Sequence, residues 1–174
     1  MKTFKHYILE KLKVSSPLHK YTLFPKSKDE LKQMIKHEIS KNGNECSLNH
    51  IDVSRITDMV SVFYDSKFNG DISDWNVSNV KDMAFMFAGS KFNGDISKWK
   101  VSNVKDMAFM FYNAKFNGDI SDWDVSNVEN MEEMFGYSKF NGDISNWDVS
   151  NVTDMSRMFR RSPLENNPPK WFKE

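Results

Sequence analysis

Tryptophan stands at positions 75, 99, 123, 147 and 171, always twenty-four residues apart. A helix repeats every 3.6 residues and a strand every two, so this interval belongs to a larger unit built again and again along the chain. The neighbouring residues repeat as well. Phe68-Asn69-Gly70-Asp71-Ile72-Ser73 recurs letter for letter at 92–97, 116–121 and 140–145. Val77-Ser78-Asn79-Val80 recurs at 101–104, 125–128 and 149–152, with the variant Val53-Ser54-Arg55-Ile56 one period earlier. Function is therefore sought on a repetitive surface, not in a pocket assembled once.

Charge narrows the partners. With 24 basic and 24 acidic residues the formal net charge is zero, so no global field draws the chain to nucleic acid or an anionic membrane. Hydrophobic residues make up 39% and aromatics 14%, enough for a narrow core. The lone Cys46 excludes an internal disulfide framework and has no metal-ligand spacing, which fits a reducing compartment. Charges interrupt every short apolar stretch of residues 1–13, and nothing approaches the roughly 20 apolar residues of a membrane span. The expected location is cytoplasmic, with the cell surface as the alternative.

Three regions are expected. In residues 1–46, Phe4, Ile8 and Leu12 suggest a short amphipathic helix over 3–13, ended by Ser15-Ser16-Pro17. A second helix has clearer signals: Ser27 and Glu30 at capping-box spacing, an apolar stripe of Leu31, Met34, Ile35 and Ile39, and a stop at Asn42-Gly43. Together they read as a helical N-terminal cap. Residues 47–160 form the repeat array, in which Leu48 takes the phase of Ile72 and Ile51 that of Trp75. Residues 161–174 read as an irregular C-terminal cap, where Arg160-Arg161-Ser162-Pro163-Leu164 breaks the pattern and Trp171 still falls on the beat.

Within a unit, the alternation Asp71-Ile72-Ser73 suggests a short strand. From Val80 the spacing of Val80, Met83, Met86 and Phe87 suggests one or two turns of α- or 3₁₀-helix. Stacked strands would then form a parallel ribbon at about 4.8 Å spacing. The string F-N-G-D-I-S-x-W-x-V-S-N-V-x-x-M-x-x-M-F, over residues 47–160, resembles the BspA-like class of bacterial leucine-rich repeats. The resemblance implies a right-handed α/β leucine-rich-repeat solenoid with one short strand and one short helix per coil. It also implies a role in adhesion or protein interaction, without identifying a ligand.

Candidate chemistry is sparse. Nine of the eleven methionines precede Phe on two repeat phases, which marks core more than a Met-rich groove. Trp75, Trp99, Trp123 and Trp147 read the same way, with buried indole N–H groups requiring backbone acceptors. The column Asp71, Asp95, Asp119 and Asp143 has two readings: a cation ladder, or carboxylates spent on the Asn-Gly bend and on Lys67, Lys91, Lys115 and Lys139. Asn79, Asn103, Asn127 and Asn151 suggest a ladder of side-chain amides. His6, His19, His37 and His50 match no metal motif, and Cys46 with His50 lacks an identifiable third group. The reading is no enzyme, no cofactor and no metal.

Individuality lies where the coils differ. Ser61, Phe85, Phe109, Glu133 and Arg157 share one phase, and Tyr64, Ala88, Tyr112, Gly136 and Arg160 another. If Met83, Met86 and Phe87 face inward, Phe85 and Phe109 either lean outward beside Tyr112 or fold over the coil edge and pack locally. Glu132, Glu133, Arg157, Arg160 and Arg161 border that apolar patch. Asp74, Lys98 and Asp122, then Lys100 and Asp124, offer a mixed-charge strip flanking the expected strands. The expected function is a non-catalytic protein–protein interaction module using Tyr64, the Phe85–Phe109–Tyr112 patch or that strip. The alternatives are a surface adhesin or glycan-binding repeat protein, and an accessory protein of a phage or mobile element.

Overall fold

The computed structural model describes residues 21–173. The expected helix over 3–13 lies outside them. The second helix is present as α1, Lys28–Asn42, the only helix among the described residues. Its ends follow the sequence signals. Ser27 Oγ accepts from the Glu30 amide at 3.2 Å, and the Glu30 carboxylate reaches back to the Lys26 amide at 2.8 Å. Gly43, at φ 86°, donates its amide to the Ile39 carbonyl at 2.8 Å and ends the helix. Leu31 and Ile35 bury the inner face of α1 against the first coil.

Beyond α1 the chain is a stack of coils without a regular strand or helix among the described residues. This overturns the expected α/β leucine-rich-repeat solenoid. The expected strand at Asp71–Ser73 is instead the entry to a turn, because Asp71 Oδ1 accepts both the Ser73 amide and its hydroxyl, at 2.9 and 2.7 Å. The Trp75 amide then closes on the Ile72 carbonyl at 3.1 Å. The expected helix from Val80 fails for a different reason. The Met83, Phe85, Phe87 and Gly89 amides donate to the Asp106, Ala108, Met110 and Tyr112 carbonyls of the next coil, at 2.8–2.9 Å. Amides committed between coils are unavailable for the i→i−4 ladder of a helix. The Met86, Ala88 and Ser90 amides close tight turns within the coil.

These turns place Phe85 (φ 58°) and Gly89 (φ 69°) in the left-handed region, and the equivalent residues of the other coils follow. The β-pairing between coils among the described residues is limited to isolated parallel bridges, Asp58↔Asp82, Asp82↔Asp106, Asp106↔Asn130 and Asn130↔Asp154, with Leu23↔Ile51 ahead of them.

The core is built of columns. Phe63, Phe87, Phe111, Phe135 and Phe159 stack face to face with centroids 5.4–6.0 Å apart. Phe68, Phe92, Phe116 and Phe140 form a second column at 6.2–6.3 Å. Each tryptophan from Trp75 to Trp171 donates its indole N–H to a carbonyl of the preceding coil, at 2.9–3.2 Å. The Met pairs from Met83/Met86 to Met131/Met134 are fully buried, whereas Met155 of the last pair is half-buried beside the buried Met158.

Asparagine ladders tie the outer side. Asn79, Asn103, Asn127 and Asn151 donate to Ser54, Ser78, Ser102 and Ser126 carbonyls at 2.6–2.8 Å. Asn69, Asn93 and Asn117 Oδ1 accept the Asn93, Asn117 and Asn141 amides. The repeat register ends at Pro163. It takes the phase of Lys139, whose amide donates to the previous coil, and it has no N–H to give.

Candidate functional site

Phe85 and Phe109 are brought together as an outward pair. Their amides are held by the Ala108 and Glu132 carbonyls, and their left-handed backbones turn the side chains away from the buried Met83, Met86 and Phe87. The two rings stack at 4.6 Å and 4°, half-buried. A residue with a Cβ costs roughly 1–2 kcal/mol in this region, and a stacked pair returns about 0.5–1.5 kcal/mol. Ser61, Glu133 and Arg157 share the same backbone state, so the strain belongs to every coil and only the side chain is individual.

The strip continues. Tyr112 meets Phe109 edge-on at 5.7 Å and Tyr137 at 5.4 Å, and the Arg160 and Arg161 guanidiniums lie over the Tyr137 ring at 5.5 and 5.4 Å. Glu133, expected at the border, is instead buried at 6% exposure, with Arg157 at 3.7 Å and Arg160 at 4.0 Å. Tyr137 was not singled out by the sequence. It shares the phase of Asp65, Gly89, Asn113 and Arg161, the second left-handed position, whose residues differ as much as those of the first.

Tyr64 stands apart. It is 55% exposed and borders a groove of about 510 Å³ between α1 (Lys32, Ile35, Lys36, Ile39) and the first coil. Asp74, Lys98 and Asp122 are exposed on the turns after Ile72, Ile96 and Ile120, and so flank no strand. Lys100, Asp122 and Asp124 line a cavity of about 170 Å³ beside Trp99. Asp124 turns its carboxylate to the Ser126 hydroxyl at 2.6 Å.

In the Asp71, Asp95, Asp119 and Asp143 column, each carboxylate accepts the amide two residues on. These bonds hold all four below the ordinary value of 3.8. Among the described residues no ion pair joins them to the repeat lysines, and no three His, Cys, Asp or Glu side chains converge as metal ligands. A second column at the bridges, half-buried except at the exposed Asp154, lay hidden under the helix reading. Asp58, Asp82, Asp106, Asn130 and Asp154 each accept the amide two residues on. Burial, with Asp106 and Asp58 nearby, pushes Asp82 above 3.8. Lys28 pairs with Asp58 at 2.6 Å, and the Asn130 side-chain Nδ2 donates to Asp106 Oδ2 at 3.3 Å. Burial also raises the Cys46 thiol, the reverse of what a thiolate nucleophile needs, and His50 lies 3.4 Å from Glu38.

The geometry is that of a stack of 24-residue coils with an aromatic strip on one side. The family described as "Mycoplasma protein of unknown function, DUF285" matches residues 29–139 and 113–173, and the chain belongs to it. This corrects the resemblance to BspA-like leucine-rich repeats, which rested on the recurring letters and not on an observed strand. No curated protein and no solved structure matches the chain. Among the described residues no helix is long and apolar enough to cross a membrane.

Proposed function

We propose that the protein is a non-catalytic protein–protein interaction module whose partner seats an apolar centre on Phe85, Phe109 and Tyr112. The observation that carries this reading is the Phe85–Phe109 stack, held outward on two left-handed backbones. Stacked rings fixed by the backbone lose little side-chain freedom on association, which is what an aromatic anchor requires. Tyr137 with Arg160 and Arg161 supplies a polar border where water closes over the contact.

Pull-down with the wild type and with Phe85→Ser/Phe109→Ser tests the reading. Truncating a central aromatic anchor costs about 2 kcal/mol or more, so partner recovery should fall at least tenfold. Recovery unchanged by the double substitution, in protein whose far-ultraviolet spectrum matches the wild type, would remove the strip as the docking surface.

A further inference from the structure

The two ends of the stack are finished differently. At the first coil, α1 lies across the end and buries Leu31 and Ile35. At the last coil, the bonds that every earlier coil makes to its successor have no acceptor among the described residues. The Met131, Glu133, Phe135 and Tyr137 amides donate forward to the Asp154, Ser156, Met158 and Arg160 carbonyls at 2.6–3.0 Å. One period on, the Met155, Arg157, Phe159 and Arg161 amides make no hydrogen bond among the described residues. From Pro163 the chain leaves the repeat register, and Trp171 returns to the beat with its indole bonded to the Ile144 carbonyl. Trp171 and Phe172 cover the ring of Phe159, at 6.2 and 5.0 Å, but do not take up the amide row. A cavity of about 550 Å³ remains there, lined by Arg157, Phe159, Arg160, Glu165, Pro168 and Phe172.

We infer that this open edge binds an extended acidic peptide segment of a partner protein, which adds one more rung to the stack. The backbone requirement comes from the coils themselves: alternate amides of this segment are already seen to take alternate carbonyls of a neighbouring chain segment. An edge that presents donors at alternate residues cannot pair with a second copy of itself, which excludes a symmetric edge-to-edge dimer. The acidic requirement comes from the side chains. Arg157, Arg160 and Arg161 flank the edge, while among the described residues Glu165 is the one carboxylate lining the cavity. Glu133 lies near the first two but is itself buried, so most of their donors face solvent.

A fluorescein-labelled peptide of four Glu-Val repeats is the probe, titrated against the full chain by anisotropy, with four Lys-Val repeats as control. Saturable binding of the first peptide and at least tenfold weaker binding of the second are expected. Amide hydrogen exchange should slow at Met155, Arg157, Phe159 and Arg161 when the acidic peptide is bound. Arg157→Gln/Arg161→Gln should weaken binding at least tenfold. Arg161→Gln alone, which leaves both contacts to Glu133 in place, should weaken it severalfold and guards against loss of fold. Phe85→Ser/Phe109→Ser should bind the peptide as the wild type does, so this surface and the aromatic strip fail independently. Equal binding of both peptides, or binding without slowed exchange at these four amides, overturns the inference. So does protection of the same amides by concentration alone, which would assign the edge to a second copy of the chain.

Discussion

Phe85, Phe109, Ser61, Glu133 and Arg157 occupy a backbone state that penalises any Cβ, yet none is glycine. The coil tolerates the penalty because the amide of each residue before the last coil is bonded to the next coil. Where the side chain has no stacking partner, glycine should be better. Ser61 (φ 57°) is such a site, so Ser61→Gly should raise unfolding stability by about 0.5–1 kcal/mol, while Ser61→Val should lower it by more than that. Urea denaturation of the two variants checks the sign of each. The glycines of the Phe-Asn-Gly-Asp motif are needed for another reason. Gly94, Gly118 and Gly142 have no positive φ, but a Cβ on any of them would lie 2.7–2.8 Å from the phenylalanine ring two residues earlier. The motif read as a turn signal is in fact a space constraint plus an asparagine ladder.

At the scale of the coil, the inward Phe and the absent Cβ are one packing unit. Gly118→Ala must displace the Phe116 ring, which is wedged between Phe92 and Phe140 in its column. Overpacking of this kind costs about 1–3 kcal/mol, and the melting temperature of the variant should fall accordingly. Gly43→Ala is the contrasting case, since nothing lies within 4 Å and only the left-handed cap is strained. α1 was legible because its signals are local: a cap at Ser27, a stripe at 3.6-residue spacing, and Gly43. The coil was not, because Val80, Met83, Met86 and Phe87 satisfy helical spacing although tight turns bring them to the same buried side. The repeat of letters located the core correctly and misassigned the backbone that carries it.

For the whole molecule, the carboxylates set the response to acid. Asp71, Asp95, Asp119, Asp143, Asp148 and Asp154 are all held below 3.8 by hydrogen bonds to their turns. A depressed folded value contributes stability that is complete above 3.8 and is lost as pH falls through the folded value. Asp82 has the opposite sign. Its raised value disfavours the fold while it is ionised, and that cost is relieved as pH falls through the raised value. Urea midpoints followed from pH 7 downward should therefore hold or rise slightly before falling below about 3.8. Asp82→Asn should raise the midpoint at pH 7 and abolish the early rise. Asp119→Asn keeps the turn acceptor and should flatten part of the loss in acid. A midpoint that falls steadily from pH 7 would contradict this assignment of signs.

The sequence by itself determined the period, the columns of buried Phe, Met and Trp, and the helix α1, because each depends on spacing and polarity along the chain. Only the tertiary structure decided what each coil is. Whether an amide bonds within its own coil or to the next one depends on a neighbour twenty-four residues away, and that choice converts the expected helix into turns. The same long-range bonds bury Glu133, bring Tyr137 into the strip, and leave the last coil with a row of amides that nothing among the described residues accepts.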